Sequence, residues 1–71
     1  MRQEDTNSTF SVGKRIRIIR KRKGMSQEDL AEKMFTSKQM ISAYETDKID
    51  IKVSVLKEFG KALEIYMAGR L

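Results

Sequence analysis

Residues 26–45 read Ser-Gln-Glu-Asp-Leu-Ala-Glu-Lys-Met-Phe-Thr-Ser-Lys-Gln-Met-Ile-Ser-Ala-Tyr-Glu, which predicts two short helices joined by a tight turn. Ser26 has the side chain of an N-cap, and Asp29 three residues later completes a weak form of the capping box. Met25 and Leu30 occupy the hydrophobic-staple positions around that cap. Leu30, Ala31 and Met34 then share one face at helical spacing, leaving Glu28, Glu32 and Lys33 to water. Phe35-Thr36-Ser37 breaks the period. Ser37 restarts it as the cap of a helix from Lys38 to about Thr46, with Ile41 and Tyr44 inward. The outward residues of that helix are Lys38, Gln39, Ser42 and Ala43. They are small or hydrogen-bonding, as a groove-facing surface would be.

Working outward, a helix is expected from about Ser11 to Lys23. Ser11 or Thr9 caps it, and Val12, Ile16 and Ile19 form its inward stripe, with Ile18 at the edge or on the surface. Gly24 stands at the C′ position, after a cationic last turn that suits the helix dipole. On the other side, Val53, Leu56, Phe59, Gly60 and Leu63 predict a fourth helix over roughly Val53 to Leu63. A glycine inside a helix costs up to ~1 kcal/mol relative to alanine, so Gly60 predicts close packing. Residues 64–71 fit a short C-terminal β-strand better than a fifth helix, with Ile65 and Met67 on one face and Tyr66 and Ala68 on the other. A lone strand needs a partner, and a twofold-related copy is the simplest. Residues 1–10 are polar and aperiodic up to Phe10 and read as a disordered lead-in, with the folded domain at 11–71.

The 71 residues allow one small domain, whose single core is marginal and commonly supplemented by oligomerisation. There is no Cys and no His, which excludes disulfides, thiolate or imidazole metal sites and Cys/His nucleophile pairs. No Gly-rich phosphate loop and no inward carboxylate pair is present, so an enzyme is not expected, nor a cofactor. The five Met residues read as core filler and surface. No apolar run has the length of a membrane span or signal segment, and a cytoplasmic location is expected. The chain carries +5, but Lys14, Arg15, Arg17, Arg20, Lys21, Arg22 and Lys23 stand together without an acid among them. The rest of the chain is therefore net acidic. Charge of this kind most often marks a solvated helix face, but beside the 26–45 pattern it suits a polyanionic partner.

These residues together resemble the lambda-repressor-like (Cro/XRE) helix-turn-helix family. The matching elements are Ile16-Arg17-Ile18-Ile19-Arg20, Gly24-Met25-Ser26-Gln27, Leu30-Ala31, Ser37-Lys38-Gln39-Met40-Ile41-Ser42 and Tyr44-Glu45. Leu56, Phe59, Ala62 and Leu63 continue the pattern, so that the match spans residues 12–63. The resemblance implies an all-α, compact four- to five-helix bundle in which helices two and three form the DNA-reading head. It implies base contacts from Lys38, Gln39 and Ala43. Backbone contacts would come from Gln27, Thr36, Ser37, Thr46 and Lys48, with Gln27 also bracing helix three. Lys can donate to guanine O6/N7, Gln pairs with adenine N6/N7, and an alanine methyl meets the thymine methyl. Arg20 and Glu45 are implied to form a structural ion pair between helices one and three.

Three departures from the family pattern stand out. Phe35 occupies a turn position commonly held by Gly; the expectation is that the turn shifts by one residue and Phe35 plugs the core, because Thr36 fills a usually apolar site. Asp47 replaces a second common Gly and tolerates the left-handed conformation. The tail lacks the usual fifth-helix pattern. The function expected is a sequence-specific regulator of double-stranded DNA, a dimeric repressor or autoregulator on a pseudo-palindromic operator. The alternative is an antitoxin-type module that binds a toxin protein and autoregulates its operon. A basic amphipathic helix on membranes or RNA is a weaker third reading, since the apolar stripe of helix one is needed for the core.

Overall fold

The computed structural model describes residues 11–64. Four helices follow in order: α1 (Val12–Arg22), α2 (Gln27–Lys33), α3 (Lys38–Glu45) and α4 (Val53–Leu63). Among the described residues the architecture is all-α. The expected lead-in at 1–10 and the expected strand beyond Glu64 lie outside them.

Three helices start on serine. The hydroxyls of Ser11, Ser26 and Ser37 accept from the N–H groups of Lys14, Asp29 and Met40, satisfying donors that the first turn leaves free. At Ser26 the box is complete in both directions, each bond 2.9 Å long. α4 has Lys52 at its N-cap position and no side-chain cap.

The same three helices end in one way. Gly24, Phe35 and Asp47 adopt left-handed backbone (φ 71°, 56° and 61°) one residue past the cap. Their N–H groups donate to the carbonyls of Lys21, Glu32 and Tyr44, and the next N–H in each case reaches back to Arg20, Ala31 and Ala43. These are Schellman closures, a geometry that glycine adopts at least cost.

The core is Ile16, Leu30, Ala31, Ile41, Phe59 and Leu63, drawing on all four helices. The Tyr44 ring meets Phe59 edge-on, centroids 5.5 Å apart. α1 crosses α3 closely. A β-carbon on Gly13 would lie 2.3 Å from the Tyr44 carbonyl oxygen and 3.0 Å from that of Glu45, so the two backbones approach through the missing side chain.

Three inward expectations are corrected. Phe35 does not plug the core: it is 96% exposed, in the strained left-handed conformation at the turn position commonly held by Gly. The closure with bonds to Glu32 and Ala31 fixes the turn without displacement, which points the side chain outward and leaves Thr36 half-buried. Val53 is also exposed, as the first residue of α4, and Val12 at the start of α1 is nearly half exposed. Both sit on the right helical face but beyond the end of the core.

Candidate nucleic-acid interface

A buried polar node holds the back of α3. Arg20 grips Glu45 in a fork, Nε to Oε2 at 2.6 Å and Nη2 to Oε1 at 3.1 Å. Both residues are buried. The remaining guanidinium nitrogen, Nη1, donates to the Met25 carbonyl at 2.8 Å, tying the α1–α2 turn to the same group. Gln27 Nε2 donates to Glu45 Oε1 at 3.0 Å from the first position of α2. One carboxylate on α3 is thus shared by α1 and α2. Two buried charges are tolerated here because the fork and the extra bonds replace the water they lose.

With the far end of α3 anchored, its N-terminal end is presented outward. Lys38 and Gln39 are both exposed, whereas Ser42 and Ala43, further along, are half-buried. Ser37 caps the helix through its oxygen, which leaves its hydroxyl proton free to donate. Thr46 spends its hydroxyl on the Ser42 carbonyl at 2.8 Å and would need to rotate to donate elsewhere. Lys48 is exposed beyond the closure of α3. The node therefore brings Gln27, Arg20 and Glu45 together, while Lys38, Gln39, Thr36 and Ser37 cluster by sequence at the opposite end of α3. Thr46 and Lys48 follow its C-terminus.

A contact outside the sequence expectation concerns Glu28. Its carboxylate lies 3.5 Å from Lys38 Nζ, across the turn, with both side chains largely exposed. A separation of ten residues carries no helical periodicity, so the sequence offers no cue for it beyond the opposite charges.

The basic run on α1 is arranged differently from the reading edge. α1 packs inward through Gly13, Ile16 and Arg20, while Lys14, Arg15, Arg17, Lys21, Arg22 and Lys23 are exposed. Their field adds to the attraction of a polyanion. No helix among the described residues is long and apolar enough to cross a membrane.

No curated protein and no solved structure matched the chain. A family model described as Helix-turn-helix matches residues 16–69, which include α2, its turn and α3 in full. The chain belongs to the Cro/XRE-type helix-turn-helix family of DNA-binding regulators.

Proposed function

We propose that the protein is a sequence-specific repressor or autoregulator that binds a pseudo-palindromic operator as a dimer, with the first turn of α3 in the major groove. Lys38 and Gln39 read base edges and Ala43 meets a thymine methyl. Gln27, Thr36, Ser37, Thr46 and Lys48 hold the phosphate backbone on either side, so base contacts specify while phosphate contacts position. Half-sites lie about one helical turn, ~34 Å, apart. The observation that carries this reading is the buried Arg20–Glu45–Gln27 node, which holds α3 rigidly from behind while its N-terminal side chains stay exposed. The expected location is the cytoplasm.

Selection of a randomised duplex library on the intact chain supplies the operator, and fluorescence anisotropy measures its affinity. Lys38→Ala and Gln39→Ala should each cost ~1–3 kcal/mol and relax specificity at the base they read. Unchanged binding by the double variant rejects this face. The toxin-binding alternative turns on the segment beyond Glu64, and a pull-down that recovers a protein partner rather than DNA would favour it.

A further inference from the structure

Phe35 is the one exposed large aromatic among the described residues, at 96% exposure, and its backbone sits at φ 56°. Both properties are unfavourable. A bulky residue in the left-handed region is strained, and an exposed phenyl ring gains nothing from burial. The fold requires neither. Gly24 and Asp47 close α1 and α3 by the same pair of backbone bonds without placing an apolar group in water. Strain that persists without structural need clusters at functional sites.

Its position suggests which site. Phe35 precedes the Ser37 cap of α3 by two residues, at the end of α3 that presents Lys38 and Gln39. Lys33 and Lys38, both exposed, bracket it in sequence. A phenyl ring with one lysine two residues before it and another three residues after it suits a duplex, where phosphates border the apolar carbons of deoxyribose and the methyl of thymine. Phosphates attract the lysines; only the sugar and methyl surface matches the ring.

We infer that Phe35 is a DNA-contact residue at the rim of the reading head, its ring packed on deoxyribose or thymine-methyl surface beside the bases read by Lys38 and Gln39. The inference rests on the proposed reading edge. Burial of the ring on binding offsets the strain it imposes on the free protein. Stability and affinity therefore move in opposite directions at this position.

The test uses the full chain and the duplex recovered by library selection. Phe35→Gly should raise the thermal midpoint by several degrees and weaken binding by about tenfold. The dependence of affinity on salt should stay unchanged, because no charge is removed. Phe35→Asn, which tolerates the same backbone, should behave alike, and Phe35→Tyr should retain affinity. Wild-type affinity in both Phe35→Gly and Phe35→Asn, while Lys38→Ala and Gln39→Ala lose theirs, overturns the inference and leaves the reading edge standing. A change in oligomeric state with unaltered DNA affinity overturns it in favour of a protein contact. If all four variants bind like wild type, the reading edge itself is wrong.

Discussion

Gln27 holds Glu45 from a different helix than Arg20 does, donating its amide to Oε1 at 3.0 Å on an oxygen that Arg20 Nη2 already reaches at 3.1 Å. The first residue of α2 therefore sets the position of α3 from within the fold. Any part that Gln27 plays in touching phosphate must use the rest of its amide. Replacing it by Glu puts a second carboxylate against Glu45 in almost the same volume. Denaturant unfolding should show Gln27→Glu less stable than Gln27→Ala, and equal losses would mean that the bond to Glu45 contributes little. For Gln27→Ala a loss of ~1.5–3 kcal/mol is expected, as for a hydrogen bond to a charged group.

Breaking the fork on one side is a larger perturbation. Arg20→Ala or Glu45→Ala leaves the other charge buried and should cost about 3–5 kcal/mol, enough to unfold much of a domain this small. Arg20→Met with Glu45→Leu strands no charge and should be less damaging than either single change, although the Met25 carbonyl and Gln27 lose partners. Circular dichroism in urea gives the comparison, and a double variant worse than both singles would contradict it.

Gly13→Ala reverses a general rule. In an ordinary helix position this change stabilises by up to about 1 kcal/mol. Here the new methyl would sit 2.3 Å from a backbone oxygen that cannot rotate away. A loss of ~1–3 kcal/mol is expected from the forced shift of α1 against α3, measured by thermal unfolding. DNA affinity should fall along with it, since the shift re-aims α3.

The capping box gives a pH dependence. Hydrogen bonds from the Ser26 backbone N–H and then its hydroxyl hold the Asp29 carboxyl below its ordinary value of 3.8. A depressed carboxyl contributes stability above its unfolded pKa and loses it as pH falls through the folded one. The stability gap between wild type and Asp29→Asn should thus be constant near neutrality and close on acidification below about pH 4. A gap that persisted at low pH would show that the carboxylate charge is irrelevant to the cap.

Glu28 tempers the reading edge. Exposed as the pair is, its effect on stability should be small, ~0–1 kcal/mol. Its effect on DNA should be larger in kind, because Glu28 holds Lys38 3.5 Å away and repels phosphate. Glu28→Gln should tighten binding to a scrambled duplex more than to the selected one, lowering their ratio at fixed salt. A ratio that rises instead would show that Glu28 holds Lys38 back from its base.

Helix starts were legible because their determinants are local: Ser11, Ser26 and Ser37 each act on an N–H three residues on. Phe35 departs from its expected burial for an equally physical reason. Hydrophobicity argues for burial, but the Schellman closure depends on backbone bonds to Glu32 and Ala31 that any residue can make, so side-chain identity said nothing about direction. Val53 shows that period gives the face but not how far the core extends. The Arg20–Glu45 pairing entered only through the family resemblance, since 25 residues of separation leave no periodic trace. Gly13 gives no sequence signal because the backbone it meets, at Tyr44 and Glu45, lies more than 30 residues away in the chain.

That close crossing at Gly13 makes α1 a mechanical datum for α3. Main chain rests on main chain there, so the tilt of the reading helix is referenced to atoms that no substitution at its surface can alter. Residues at 38, 39 and 43 can then be exchanged to change the preferred sequence while the angle of approach to the groove is preserved. The helix behaves as a fixed mount with interchangeable faces, and new specificities should be reachable by changing side chains alone.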